Sequence, residues 1–178
     1  MLLDVKASPI AGFDASFAAA MARLELDKCA SYVTALSGGP DSTALALLTQ
    51  RYADAAGKHH HAVVVDHGLR DGSGEEAGRV QKRLHPFGIA IDIIQITEPR
   101  PKAGLQEWAR INRHHVLIKA ARQKKAALLF AHHASDQAET VAMRLLKSSG
   151  LNGLGGIACH RMQHDVRVAR PVLGWMPD

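Results

Sequence analysis

Short apolar segments alternate with longer amphipathic segments along most of this chain. The apolar segments are nearly continuous, which is typical of strands buried on both faces of a sheet. Four of them are predicted to be strands: SYVTAL (31–36), HAVVV (61–65), IAIDIIQI (89–96) and AALLFA (126–131). A shorter fifth strand is predicted at DVRVAR (165–170). Apolar residues spaced three or four apart predict helices over 14–26, 40–56, 75–87, 105–123 and 135–149.

This alternation predicts an α/β fold with a doubly wound, mostly parallel five-stranded sheet flanked by helices, because parallel strands need crossover connections that helices supply. A chain of 178 residues, 47% of them hydrophobic, can fill one such core. Ligands of these sheets bind at the carboxyl ends of the strands. Four polar segments are therefore expected at one edge: SGGPDS (37–42), DHGLRDGS (66–73), TEPRPKAG (97–104) and HHASDQAE (132–139).

Composition narrows the classes of function. The chain carries 22 Lys and Arg against 17 Asp and Glu, and its net charge of +5 favours an anionic partner such as a nucleotide or RNA. Cys29 and Cys159 lie far apart and outside any metal-ligand spacing, so we expect neither a disulfide framework nor a structural zinc. We expect a reducing, cytoplasmic location and no membrane association, since no apolar run approaches a membrane span.

Local signals mark individual turns and helix ends. Asp14 is the expected cap of the first helix, and Gly57 is the expected end of the second. Three adjacent histidines in KHHHA (58–62) allow two interpretations, a metal cluster or a turn. We favour a turn that enters the second strand, because the run directly precedes VVV.

The segment SGGPDST (37–43) joins the first strand to its helix. Glycines allow close approach of a ligand, while the helix start presents free N–H groups and a positive dipole to an anion. Asp41 would be repelled by phosphate alone, but it is explained if Mg²⁺ bridges the two. The segment therefore predicts a polyphosphate site, and the alternative is a helix-opening turn that binds nothing. Neither a Walker nor a dinucleotide-binding pattern is present.

SGGPDS resembles the SGGxDS loop of the PP-loop ATP-pyrophosphatase superfamily, whose members cleave ATP to AMP and pyrophosphate while they adenylate an oxygen of their substrate. Four further blocks are similar, in order, to motifs of the tRNA(Ile)-lysidine synthetase family. They are VDHGLRDGSGEEAGRV (65–80), QEWARINRHHVL (106–117), FAHHASDQAETVAMRLLKSSGLNGL (130–154) and RPVL (170–173). The resemblance covers roughly residues 31–173.

This resemblance implies an ATP- and Mg²⁺-dependent ligase that forms a carbon–nitrogen bond. It would adenylate C2 of the wobble cytidine in tRNA-Ile with a CAU anticodon, after which the side-chain amine of free lysine attacks to give lysidine. The chain would be one nucleotide-binding catalytic domain over 1–178, with the family's C-terminal tRNA-recognition domains absent. The alternatives are another RNA-modifying or amide-forming PP-loop ATP pyrophosphatase, or a catalytically silent ATP-binding module.

The resemblance also assigns site residues. It assigns the β- and γ-phosphates of ATP, and through Asp41 the Mg²⁺, to Ser37, Gly38, Gly39, Asp41 and Ser42. It places Asp66 and His67 beside the adenosine and His133 in the nucleotide pocket. Asp136 would bind the lysine ammonium or a second Mg²⁺, Arg170 would face the lysine or cytidine site, and Arg110 and Arg113 would grip the α-phosphate or the transition state.

The residues themselves leave simpler alternatives open. Arg110 and Arg113 are three apart, so they share a helical face, yet they could be solvated surface arginines. Asp66 could form only an Asx turn before Gly68. Asp136 and Glu139 fit a capping pattern. Two departures from the family also stand out: His114 replaces a common Tyr, and Lys147 with Ser148 replaces an Arg-Gly pair.

Overall fold

The structure is a computed structural model that describes residues 10–68, 73–146 and 156–176. Its helices are α1 (Ile10–Arg23), α2 (Pro40–Ala56), α3 (Ser73–Leu84), α4 (Leu105–Gln123) and α5 (Ala134–Leu146). Its strands are β1 (Ser31–Leu36), β2 (His59–Asp66), β3 (Ala90–Gln95), β4 (Ala127–Leu129), β5 (His160–Gln163) and β6 (Val166–Ala169). Within the described ranges, every helix is too short or too polar to cross a bilayer.

The strands form one sheet in the order β3-β2-β1-β4-β6-β5. Five strands are parallel and β5 runs antiparallel to β6 at the edge. The chain first builds the sheet from β1 towards β3 and then returns to add β4 on the other side of β1. The carboxyl ends of β1 and β4 therefore flank the point where the strand order reverses, which is where doubly wound sheets open a crevice.

The predicted fold is confirmed, but the prediction of five strands was wrong. The additional strand, β5, has the sequence HRMQ and is mostly exposed, so it lacks the apolar run that marks a buried strand. It forms a hairpin with β6 through His164 and Asp165, whose φ angles are positive, 48° and 64° respectively. Two such residues are what a tight two-residue hairpin requires, although neither is the usual Gly or Asn.

Apolar clusters cover both faces of the sheet, and β1 is buried along its whole length. Side chains alternate along this strand, so Tyr32 belongs to the cluster with α1 and α2, whereas Val33 belongs to the cluster with α4. Phe17 and Met21 of α1 and Leu45 of α2 are fully buried on the first of these faces. These contacts hold α2 against one face of the sheet, above β1.

Predicted helix bounds hold best where the sequence carries a stop signal. The second helix ends at Ala56 before Gly57, which has a φ of 62°, and α4 spans the predicted residues. The first helix was placed wrongly. It begins at Ile10, and Asp14 lies inside it, where its carboxylate pairs with Arg51 instead of capping.

The three histidines begin β2 and do not form a turn, so the turn prediction was wrong. His60 is buried, and its Nδ1–H donates to Gln50 Oε1 at 2.9 Å while its Nε2 accepts from Thr34 Oγ1 at 2.9 Å. A neutral imidazole satisfies both bonds, and burial lowers the pKa of His60 to about 3. Across the described ranges, no three His, Cys, Asp or Glu side chains come together as metal ligands could.

We expect His60 to make stability depend on pH. Between its unfolded pKa of 6.5 and its folded pKa of about 3, the unfolded chain binds a proton at His60 that the folded chain does not. Stability is therefore lost as the pH falls through this window, by up to about 1.4 kcal/mol per pH unit. In His60→Gln this share of the slope should disappear from urea unfolding measured between pH 4 and 7.

His59→Gln on the same strand is the matched control, because His59 is exposed. It should keep the wild-type slope. A His60→Gln variant with the same pH slope as the wild type would contradict the assignment.

Candidate active site

A cavity of about 800 Å³ opens where β1 and β4 end. Its wall combines the loop before α2, the start of α5, one face of α4 and the residues that flank β5 and β6. Eight of the sequence-predicted site residues line it: Ser37, Gly39, Asp41, Ser42, Arg110, Arg113, Asp136 and Arg170. The cavity is thus formed by two of the strand-end segments that the sequence predicted, 37–42 and 132–139, and by one face of α4. Residues near β5, which the sequence did not predict, complete its wall.

The loop before α2 holds a shape that only particular residues allow. Gly38 has a φ of 86°, and a Cβ added there would lie 2.8 Å from Val80 Cγ2. Arg83 donates to the Gly38 carbonyl at 3.1 Å, so α3 fixes the loop from outside. Gly39 has an ordinary φ of −72° and no side-chain hydrogen bond caps the helix that follows. The first amide groups of α2 therefore remain available to an anion.

Ser42 closes the same loop from inside. Its Oγ accepts the Ser37 N–H at 3.1 Å and donates to the Gly39 carbonyl at 3.1 Å. Since that proton is committed, the Ser37 hydroxyl donates to Ser42 Oγ, at 2.9 Å. Ser42 is buried, whereas Ser37 is exposed at the cavity. In this arrangement Ser42 shapes the loop and Ser37 is the hydroxyl nearer to solvent.

Two carboxylates flank one imidazole beside this loop. His133 Nε2 lies 3.7 Å from Asp41 Oδ2, and His133 Nδ1 lies 3.6 Å from Asp136 Oδ2. Neither distance is a hydrogen bond, and Nδ1 is buried without a partner. Asp136 Oδ2 instead accepts the backbone N–H of His133 at 2.8 Å. Asp136 is the third residue of α5, so its side chain reaches back to the residue before the helix, as the third residue of a capping box does. The capping alternative that the sequence left open, with Asp136 as the cap and Glu139 three residues later, is therefore not the one formed, and Asp136 Oδ1 makes no hydrogen bond with the described residues.

The two predicted arginines differ in environment. Arg110 is exposed and pairs with Glu107 through contacts of 2.6 and 2.8 Å. Arg113 is half-buried, and no described residue forms a hydrogen bond or ion pair with its guanidinium. Burial lowers the pKa of Arg113, because the charged form is partly desolvated. Among the described residues, Arg113 thus has no counter-charge, and it lines the cavity.

Asp66, His67, Gly38 and His133 are not among the residues that line the cavity. Asp66 Oδ1 accepts the Gly68 N–H at 2.8 Å, so the Asx turn that the sequence allowed is present. His67 Nδ1 is buried and has no hydrogen-bond partner among the described residues, and burial followed by the charge of Arg113 lowers the pKa of His67. Residues 69–72 of this loop, as well as Lys147 and Ser148, lie outside the described residues.

Phe130 and Arg161, which the sequence did not single out, line the cavity together with His114. Phe130 stacks on His114 with ring centroids 5.9 Å apart and an interplanar angle of 19°. A flat ring at position 114 thus keeps a stacking surface where the family commonly has Tyr. His114 Nε2 donates to Gln163 Oε1 at 2.8 Å, which ties α4 to β5. Arg161 of β5 also lines the cavity, and it was missed because β5 itself was missed.

We expect Gly38→Ala to destabilise the fold by about 1–3 kcal/mol, because an L-residue is strained at this φ and its Cβ would clash with Val80. Gly39→Ala is the matched control. Its φ is ordinary and its Cβ would meet only Ser37 Oγ, at 3.7 Å, so the free energy of unfolding should stay within about 1 kcal/mol of wild type. Urea denaturation measures both, and equal losses would refute the distinction.

Several known proteins are similar to this chain in sequence. The tRNA(Ile)-lysidine synthase of Bradyrhizobium sp. strain BTAi1 is 42% identical over 142 residues, which cover 78% of this chain and 40% of that protein. The tRNA(Ile)-lysidine synthase of Bifidobacterium longum subsp. infantis is 37% identical over 174 residues, which cover 97% of this chain and 43% of that protein. The chain therefore spans about two fifths of the length of these relatives.

A solved structure and a family model complete the comparison. The U34-tRNA thiolase NcsA from Methanococcus maripaludis, with its 4Fe-4S cluster, superposes with a TM-score of 0.76 over 94% of this chain and 61% of that one. Its sequence identity is 17%, so the likeness concerns the fold alone. The model of the PP-loop domain matches residues 13–176. With the glycine-containing loop at the start of α2, this match shows that the chain belongs to the PP-loop domain family.

Proposed function

We propose that this chain is the catalytic PP-loop domain of a tRNA(Ile)-lysidine synthase, which uses ATP and free lysine to convert the wobble cytidine of a CAU-anticodon tRNA-Ile to lysidine. Relatives with that name are about 40% identical to most of the chain. The observation that carries the proposal is that the open start of α2, the unpaired Arg113 and the carboxylate of Asp136 face one cavity. The start of α2 would bind a polyphosphate, Arg113 would bind a further anionic group, and Asp136 would bind an amine.

ATP would bind with its β- and γ-phosphates at the loop of residues 37–42. The uncapped amides of α2 supply donors there. The residues fit Mg²⁺, because Asp41 presents a 55% exposed carboxylate with no hydrogen bond to a described residue, and Mg²⁺ combines one or two carboxylates with phosphate oxygens. Bound Mg²⁺ would neutralise charge on the pyrophosphate leaving group.

In the first step, the C2 oxygen of cytidine would attack the α-phosphorus. A P–O bond to the cytidine forms, the bond between the α-phosphorus and the bridging oxygen breaks, and pyrophosphate leaves. Negative charge grows on the α-phosphoryl oxygens and the leaving group. Arg113 is suited to stabilise this charge, since its guanidinium is partly desolvated and has no acidic partner among the described residues.

In the second step, the lysine amine would attack C2. Asp136 is suited to hold the ammonium, because Oδ1 remains free while Oδ2 accepts the His133 N–H. The amine loses a proton before its lone pair forms the C2–N bond. The C2–O bond then breaks, and AMP leaves with the oxygen. A carboxylate that positions the amine can also take up the proton.

The two rival functions make different demands on the site. A thiolase that holds a metal cluster through cysteines would need several of them at the cavity, but Cys29 precedes β1 at the amino edge of the sheet and Cys159 precedes β5 at the carboxyl edge. A silent module would need only ATP binding. The arrangement of Arg113 and Asp136 beyond the phosphate loop supports catalysis over sensing.

The deciding experiment is lysine-stimulated release of AMP and pyrophosphate from ATP. It uses the intact protein and a tRNA-Ile transcript with a CAU anticodon, with lysidine identified by mass spectrometry. We expect release only when ATP, lysine and the transcript are all present. Release without lysine incorporation would favour another PP-loop enzyme, and ATP binding without release would favour the silent module.

Asp41→Ala serves as the active-site variant of this assay. Loss of its carboxylate should lower turnover at least about 100-fold while the fold stays intact, because charge on the leaving pyrophosphate is no longer offset. Asp54→Ala, at the other end of the same helix, is the control and should retain activity, since Asp54 is exposed and its carboxylate accepts, among the described residues, only from Gln50. Unchanged turnover in Asp41→Ala would argue against its role.

Asp136→Asn should lower kcat/KM for lysine by about 10–100-fold, because a charge-assisted hydrogen bond to the ammonium is lost. The KM for ATP should not change. The asparagine carbonyl can still accept the His133 N–H, so the start of α5 is preserved. If the KM for ATP and the use of lysine are impaired equally, Asp136 does not select the amine.

A further inference from the structure

The peptide unit between Gly38 and Gly39 is held from outside the cavity by Arg83 of α3. Arg83 Nη2 donates to the Gly38 carbonyl oxygen at 3.1 Å, although the two residues are 45 positions apart in the chain. Arg83 is exposed, and it makes no other hydrogen bond or ion pair with a described residue. Val80, three residues earlier on the same face of α3, is buried directly against Gly38. Two side chains of α3 therefore contact this one peptide unit.

The contact with Arg83 determines where the Gly39 amide points. A planar trans peptide directs its C=O and N–H groups to opposite sides. Because the Gly38 carbonyl points towards Arg83, the Gly39 N–H points away from α3. Gly39 lines the cavity, whereas Gly38 does not, and the Gly39 N–H has no acceptor among the described residues. This amide is thus available to an anion in the cavity, beside the first amides of α2.

The Gly38–Gly39 peptide has more freedom to rotate than its neighbours. With no Cβ on either side, it can turn over by changing ψ of Gly38 and φ of Gly39 at little steric cost. Turned over, it would present a carbonyl oxygen to the cavity and repel phosphate. Ser42 Oγ binds the Ser37 N–H and the Gly39 carbonyl, which belong to other peptide units of the loop. Among the described residues, only Arg83 forms a hydrogen bond with this unit.

Arg83 is not needed to dock α3 on the sheet. The buried residues of α3 already pack in one apolar cluster with Leu36 of β1, and they are Ala77, Val80 and Leu84. An exposed hydrogen bond adds little to the stability that such packing provides. The particular effect of the Arg83 bond is therefore on the orientation of a peptide that packing leaves free to turn.

The charge of Arg83 acts in the same direction as its geometry. A guanidinium is always protonated in proteins, so its bond to the Gly38 carbonyl is charge-assisted. A hydrogen bond to a carbonyl oxygen also polarises the peptide and makes its N–H a stronger donor. Arg83 is not among the residues that line the cavity, so it would act on a ligand there only through the peptide.

We propose that Arg83 is a positioning residue that keeps the Gly39 N–H directed at the β- and γ-phosphates of ATP. It thereby raises the affinity for ATP relative to AMP, which lacks those two phosphates. This inference rests on the polyphosphate site of the proposed function, but it does not depend on lysine or on tRNA. Arg83 does not touch the nucleotide and acts through Gly39.

The test compares ATP with AMP as ligands of the intact protein, with Mg²⁺ present and affinity measured by calorimetric titration. Neither lysine nor tRNA is added, so ATP is not consumed. Arg83→Ala should weaken the binding of ATP by about 3–10-fold, the size expected for one hydrogen bond, and leave the binding of AMP unchanged. Arg83→Lys should bind ATP more tightly than Arg83→Ala, because its ammonium can also donate to the Gly38 carbonyl.

Arg79→Ala is the matched control. Arg79 is an exposed arginine one turn earlier on α3, and its guanidinium lies 3.8 Å from the Glu75 carboxylate. This variant loses the same charge and should keep both affinities. An equal loss of affinity for ATP and AMP in Arg83→Ala, as general loosening of the fold would cause, overturns the proposal, and so does unchanged affinity for ATP. A wild type that binds ATP no more tightly than AMP would instead defeat the polyphosphate site itself.

Discussion

The unpaired amides at the start of α2 are the feature on which the rest of the site depends. A helix start normally receives a side-chain cap, but here Gly39 occupies the cap position and Ser42 turns its hydroxyl back to the Gly39 carbonyl. Packing of α2 on β1 and the hold of Arg83 on Gly38 keep this end in place. An anion-binding surface is therefore maintained by contacts that lie outside the cavity.

Charge is separated within the cavity. Asp41 and Asp136 lie on the side of α2 and α5, while Arg113 and Arg170 reach it from α4 and from the end of β6. His133 lies between the two acids, and His132 Nδ1 accepts a hydrogen bond from Arg170 Nε. Such a cavity suits a reaction in which a polyphosphate and an amine must be held close together but on different groups.

The sequence predicted the parallel part of the sheet because its strands contain apolar runs, and β1 and β4 are buried along their whole length. The second helix and α4 were placed correctly by their apolar spacing and by Gly57. The fifth strand in chain order was missed, since an exposed edge strand needs no apolar pattern and its pairing with β6 supplies the stability. Asp14 was taken for a cap because local propensity favours it there, whereas its charge is used in a tertiary pair with Arg51.

The sequence by itself determined the α/β class, the loop at the start of α2 and the set of polar residues at the strand ends, because these follow from local spacing and residue type. The tertiary structure alone decided which of these residues share the cavity. It placed Arg113 and Arg170 there without an acidic partner in the part of the chain that the structure describes, fixed Asp66 in a turn, and brought Phe130, His114 and β5 together. Such arrangements depend on strand order and on burial, which arise from contacts between residues far apart in the chain.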